Sequence, residues 1–160
     1  MKSLVIYYSF SDNTKKVAEI LSEYLSSRGQ SEVIRLKDLN ESGNFFVQSG
    51  KAIFHQRTSI QTANFDLTAY DLICLGTPVW AFGPAPPVNT YLEQCLGLGN
   101  KTAVLFTTYG SGTGNRRCLN YMQEIMAKKG IKSFWRFSVQ QFKVKDKDFV
   151  LSKIQESLRL

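Results

Sequence analysis

The sequence predicts an α/β domain built on one doubly wound parallel sheet with helices on both faces. Three features predict it: short runs of apolar residues, helix-spaced apolar residues alternating with those runs, and short connections between them. Strands buried on both faces read as continuous apolar runs, not as alternations. Leu4-Val5-Ile6-Tyr7-Tyr8 is the first such run. Val17, Ile20, Leu21, Tyr24 and Leu25 follow at helical spacing, and Gly29 is expected to end that helix in a left-handed conformation. Val33-Ile34-Arg35-Leu36 is the second strand.

Between Asp38 and Asn64 the pattern is weaker. Phe45, Phe46, Ala52 and Ile53 are assigned to the inward face of a short helix. Asp71-Leu72-Ile73-Cys74-Leu75 is the third strand. All four prolines follow, at 78, 84, 86 and 87. Pro87 suits the first turn of a helix, where its missing N–H has no partner to lose. Val88, Tyr91, Leu92, Cys95 and Leu96 form the apolar face of that helix. Ala103-Val104-Leu105-Phe106 is the fourth strand, and Leu119, Met122, Ile125 and Met126 mark the next helix, closed by Gly130. Ser133 to Val139 is the fifth strand, and Val150, Ile154 and Leu158 mark the last helix. Residues 1–160 form one domain, long enough to bury roughly 70% of the surface of its unfolded chain.

Composition narrows the function. Hydrophobic residues make up 43% and charged residues 21%, values of a folded globular chain. No apolar run approaches bilayer-spanning length, and Met1 to Phe10 reads as a strand, not a leader. Cys74, Cys95 and Cys118 form no C-x-x-C pair, which argues against a disulfide framework or a thiolate zinc site and for reduced thiols in the cytoplasm. Residues 1–80 carry 8 basic and 8 acidic side chains; residues 81–160 carry 12 and 5, so the net charge of +7 lies in the second half. Such a half suits an anionic cofactor or an acidic protein partner, or is simply a solvated face. Nucleic acid and membrane are not expected as partners.

Ligands of doubly wound sheets sit beyond the carboxyl ends of the strands, which directs attention to three loops. After the first strand, Ser9-Phe10-Ser11-Asp12-Asn13-Thr14 leads into a helix. Unpaired N–H groups and the helix dipole make a phosphate site there; the plainer alternative is capping by Ser11 or Asp12. After the third strand, Gly76 to Pro84 carries Trp80 and Phe82, which either stack on a flat heteroaromatic ligand or fold back onto the following helix. After the fourth strand, Thr107 to Asn115 includes Gly110, Gly112 and Gly114, which allow close backbone approach to a ligand. Arg116 and Arg117 follow at a helix start, placed to serve an anion, an acidic partner or the solvent.

A phosphate grip opposite a flat-ring wall resembles the flavodoxin-like family, in its short-chain form. The residues that carry the resemblance are Val5 to Ser11 with Asn13, Thr14, Ala18 and Ile20, the run Leu75 to Trp80, and Thr108 to Gly112. It implies a five-stranded sheet of order 2-1-3-4-5 and bound FMN. Ser9, Ser11, Asn13 and Thr14 would hold the phosphate, and Phe10 would also contact the cofactor. Thr77, Pro78, Val79 and Trp80, with Phe82 and Gly83, would flank the isoalloxazine ring, and Thr108, Tyr109, Gly110 and Gly114 would border its other side. The chain departs from the family at Asp12, where a small residue is usual, and at Ala81, where well-known members have glycine after the stacking aromatic.

Other phosphate-binding folds lack support. No glycine lies between Met1 and Arg28, which argues against a dinucleotide fingerprint; Gly50-Lys51-Ala52 is not a P-loop; no cysteine is followed six positions later by arginine, as a low-molecular-weight phosphatase requires; and Ser9 and Gly76 stand where a receiver domain would carry acids. His55, the one histidine, lies outside the three loops, so no histidine-based triad or metal cluster is expected. The resemblance implies an FMN electron carrier serving a redox protein, with no catalytic side chain. The alternative is an FMN-dependent NAD(P)H:quinone-type oxidoreductase, with Arg116 and Arg117 on the nucleotide phosphate. A flavin-free scaffold is the third reading, with Asp12 in its favour.

Overall fold

A computed structural model describes residues 1–39, 57–61, 63–110 and 112–158. The helix expected around Phe45, Phe46, Ala52 and Ile53, and His55, lie outside the described residues.

Strand β1 (Lys2–Tyr7) runs into the loop that opens α1 (Asn13–Ser26), and β2 (Gln30–Arg35) follows. Next come β3 (Leu72–Trp80), the short β4 (Gly83–Pro84), α2 (Pro86–Gln94), β5 (Thr102–Tyr109), α3 (Asn115–Lys128), β6 (Ser133–Gln140), a 3-10 turn (Gln141–Lys143) and α4 (Lys147–Ser157). The strands lie in the order β2-β1-β3-β5-β6 and pair in parallel, with β4 off this path as an antiparallel partner of β3. Numbered by the parallel strands alone, this is the expected 2-1-3-4-5.

The strand period of two sorts the core into two layers. Leu4, Ile6, Ile73 and Leu75 pack with Val88, Tyr91 and Leu92 of α2 and Cys118, Leu119 and Met122 of α3. Val5, Cys74, Val104 and Phe106 pack with Val17, Leu21 and Leu25 of α1 and Val150 and Ile154 of α4. Each fully buried aliphatic side chain contributes about 1.5–3 kcal/mol. Pro86 and Pro87 open α2 without loss of a helix hydrogen bond. Asp146 caps α4 by accepting from the Phe149 N–H at 3.0 Å.

Three expectations need correction. Helix α2 ends at Gln94, so Cys95 and Leu96 lie beyond it; Cys95 is buried, but Leu96 is exposed and adds nothing to an apolar helix face. Helix α1 ends at Ser26, and Gly29 does not cap it; a Cβ at Gly29 would lie 2.2 Å from the Met1 carbonyl oxygen, so close approach explains the glycine. Residues Thr77–Trp80 and Thr107–Tyr109, read as loop, are strand. Their parallel register continues through Pro78↔Thr108 and Tyr109↔Gln140, and Val79 and Trp80 then turn to pair with β4. Strand β1 stops at Tyr7, opposite Gly76, so β3 projects four residues beyond it, about 13 Å of strand. This stagger leaves a notch above β1, walled by β3 and β5. Among the described residues no helix is long and apolar enough to cross a membrane.

Candidate flavin site

The notch is a cleft of about 430 Å³ lined by Phe10, Ser11, Asn13, Pro78, Val79, Trp80, Thr108, Tyr109, Gly110 and Gln141. That volume lies in the range of small-molecule sites. Nine of these residues were expected from the sequence; Gln141 was not. Gln141 follows the carboxyl end of β6, and the rule that ligands gather at strand carboxyl ends would have pointed to it. Its neighbour Gln140 donates from Nε2 to the Gly110 carbonyl oxygen at 3.1 Å, which ties the β6 end to the cleft wall.

One end of the cleft is rich in hydrogen-bonding groups. Asp12 occupies the N-cap of α1 with φ 60°, yet its side chain makes no capping hydrogen bond. The capping alternative therefore fails for Asp12, and the first N–H groups of α1 stay free of it. The Asp12 carboxylate instead meets the Arg35 guanidinium at 3.3 Å. Asn13 Nδ2 donates to Ser11 Oγ at 3.1 Å. Thr14 and Thr108, both buried, share a hydrogen bond between their hydroxyls at 2.7 Å. Two hydroxyls sharing one bond keep one O–H donor uncommitted. Ser9 is 2% exposed, and its Oγ has no hydrogen-bond partner among the described residues. Such an orphaned buried hydroxyl is costly unless a ligand meets it.

The other end is aromatic. Trp80 is 4% exposed and packs edge-on against Tyr8 (5.6 Å between centroids) and Phe10 (5.9 Å). The two alternatives for Trp80 thus combine: it lines the cleft, and most of its ring belongs to the core. Phe82 does not fold back; it is 52% exposed. Ala81 (φ 47°) and Phe82 (φ 68°) form the two central positions of the β3–β4 turn, both left-handed, as a two-residue type I′ hairpin requires. Gly114 (φ 87°) abuts this turn, where an added Cβ would lie 2.7 Å from Phe82 Cδ1.

The remaining expected residues are not among those lining the cleft but adjoin residues that are. Thr77 Oγ1 donates to the Pro78 carbonyl oxygen at 2.9 Å and accepts from the Ala85 N–H at 3.0 Å, which fastens the hairpin base. Phe82, Gly83 and Gly114 build the turn beside it, and Ser9 and Thr14 are buried next to the lining residues Phe10 and Asn13. Arg116 and Arg117 are exposed; Arg116 lines a separate hollow with Asn115, Leu119, Arg136, Phe137 and Ser138. Cys74, Cys95 and Cys118 are free and buried, and burial pushes the Cys74 and Cys118 thiols well up.

Residues 1–135 match the family described as NADPH-dependent FMN reductase. The chain belongs to this FMN reductase family. Its fold is that of flavodoxin-like flavoproteins. A flavoprotein in complex with FMN from Lactobacillus acidophilus NCFM is similar to it, at 27% identity and a TM-score of 0.66 over 92% of this chain and 98% of that one. Flavodoxin 1 from Bacillus cereus superposes with a TM-score of 0.58 at 16% identity, covering 99% of each chain. An NADH:FMN oxidoreductase in its apo form superposes with a TM-score of 0.62 at 15% identity, covering all of this chain and 92% of that one. The last two likenesses establish the shared fold. Among curated proteins none matches the sequence. FMN is the flavin of the FMN reductase family, and the cleft fits it: the orphaned Ser9 hydroxyl, the spare threonine donor and the open α1 N–H groups suit a phosphate, and the Trp80 wall suits a flat ring.

Proposed function

We propose that this FMN-binding flavoprotein carries electrons between protein partners. One observation carries the reading. The aromatic wall of the cleft continues into an exposed apolar rim, with Phe82 52% exposed and Phe142, next to the cleft residue Gln141, 66% exposed. Exposed rings of this size beside a cofactor cleft suit a protein surface that covers them transiently. Exposed Arg116, Arg117, Lys143 and Lys145 follow Gly114 on one side and Gln141 on the other, so an acidic partner is steered to this end of the molecule.

When bound, FMN supplies the redox chemistry, taking up and giving out electrons. The chain's own residues hold and tune it. Ser9, Ser11, Asn13 and Thr14 with the α1 start hold the phosphate. Pro78, Val79, Trp80, Tyr109 and Gly110 border the ring and exclude water from it. The apolar Trp80 wall disfavours added negative charge next to it, whereas the basic end of the molecule favours it.

The family match favours a second reading, an NAD(P)H-dependent reductase. In it, the Arg116–Arg136 hollow of about 310 Å³ would take the nucleotide phosphates. Steady-state assays with NADPH, NADH and a quinone separate the two. A carrier shows almost no turnover, yet once photoreduced it passes electrons to an added redox protein. Turnover at about 1 s⁻¹ or faster, in the range usual for enzymes, establishes the reductase instead.

A further inference from the structure

The polar end of the cleft contains an apparent contradiction. Asp12 places a carboxylate in the loop proposed to hold a doubly charged phosphate, and like charges at short range oppose binding. Arg35, the last residue of β2 and the register partner of Tyr7, resolves it. From the neighbouring strand its guanidinium reaches the loop at two points. Nη2 donates to the Ser9 carbonyl oxygen at 2.9 Å, and Nη1 lies 3.3 Å from Asp12 Oδ1. Arginine suits this task because its planar fork offers donors in two directions at once, which a lysine ammonium on a flexible stem does not.

We propose that Arg35 is a positioning residue for the FMN phosphate: it anchors the Ser9–Asp12 loop by the Ser9 carbonyl and draws the Asp12 carboxylate aside, so that the α1 N–H groups and the Ser9 hydroxyl face the ligand. This deepens the flavin reading of the same cleft and rests on it.

The two partners of this ion pair then act in opposite directions. Removal of the guanidinium frees the loop and leaves Asp12 uncompensated, and both effects weaken phosphate binding. Removal of the Asp12 charge leaves Arg35 with its full charge beside the loop, which strengthens phosphate binding or leaves it unchanged. An ordinary surface ion pair behaves otherwise: loss of either member has the same small effect. The side chains are 39% and 53% exposed, so the electrostatic part is screened by salt.

The test uses the full-length chain stripped of flavin and titrated with FMN and with riboflavin, which lacks the phosphate. Arg35→Gln is expected to weaken FMN binding about tenfold, the effect of one charge-assisted hydrogen bond and one uncompensated carboxylate, and to leave riboflavin binding unchanged. Asp12→Asn is expected to leave FMN binding unchanged or tighten it by about threefold. In the Asp12→Asn background Arg35→Gln costs less than in the wild type, and Arg35→Lys falls between Gln and Arg. All these differences shrink in high salt. Equal weakening of FMN and riboflavin by Arg35→Gln overturns the proposal, as does weakening of FMN by Asp12→Asn to the same degree. Melting temperatures of the flavin-free variants separate loss of positioning from loss of folding. If the wild-type chain takes up neither flavin, the flavin reading itself fails, and this shows before any variant is made.

Discussion

The hydroxyl oxygens of Thr14 and Thr108 lie 2.7 Å apart, joining the first turn of α1 to the end of β5 across 94 residues of sequence. The bond is buried, and it fixes the two loops that meet at the polar end of the cleft. Thr14→Ala leaves the Thr108 hydroxyl buried without this partner, which costs about 1–3 kcal/mol. Denaturant unfolding of the flavin-free protein should show that loss, and Thr14→Ser should recover most of it. Binding of FMN should weaken more than binding of riboflavin. Equal weakening of both would place the phosphate elsewhere.

Trp80 serves the core as well as the cleft. With Tyr8 and Phe10 edge-on to it and 4% of it exposed, its removal leaves a cavity. Trp80→Ala is expected to cost about 3–5 kcal/mol of stability even without flavin, and Trp80→Phe distinctly less. Chemical denaturation of the flavin-free variants measures both. An unchanged midpoint for Trp80→Ala would mean that the ring contributes only to the ligand.

The β3–β4 turn places two ordinary residues, Ala81 and Phe82, in left-handed conformations that cost about 1–2 kcal/mol each outside glycine. Ala81→Asn with Phe82→Gly, the pair that type I′ hairpins prefer, should therefore raise stability. For a chain of this size 1 kcal/mol corresponds to about 2–4 °C in Tm. If the exposed Phe82 ring is part of the partner surface, the same variant should pass electrons more slowly. A more stable protein with unimpaired electron transfer would restrict Phe82 to a role in the turn.

Alkaline pH should unfold the protein progressively. Burial raises the Cys74 and Cys118 thiols above an ordinary 9.0 and the Tyr91 hydroxyl above an ordinary 10.0. Above those ordinary values the unfolded chain releases protons that the native state keeps. The contribution of these groups is complete well below their ordinary values and is lost as pH rises past them, approaching about 1.4 kcal/mol per group and pH unit until the native groups titrate. Urea midpoints measured from pH 7 to 10.5 would show it; a flat profile would contradict the burial of these groups.

Much of this was legible in sequence because burial on both faces writes itself into short apolar runs. Leu4–Tyr8 and Ala103–Phe106 announce strands, and the polar run from Ser9 to Thr14 announces a helix start beside a ligand. What escaped depends on neighbours far away in the chain. Thr77–Trp80 and Thr107–Tyr109 have the glycine, threonine and proline flavour of loops, yet lateral pairing to β4, β5 and β6 holds them as strand. Asp12 looks like a cap from its position, yet its side chain makes no capping hydrogen bond and pairs instead with Arg35 of β2. Gln141 carries no local motif; its place at the end of β6 comes from topology.

The stagger between β1 and β3 separates the labour of the molecule into two tiers. Below Tyr7 and Gly76 all five parallel strands lie side by side, and the two helical layers close over them. Above that level, among the described residues, the strand extensions, the hairpin and the helix start are hydrogen-bonded to one another. Substitutions in the upper tier can reshape the flavin cleft while the lower tier keeps the chain folded, which lets one scaffold carry different sites.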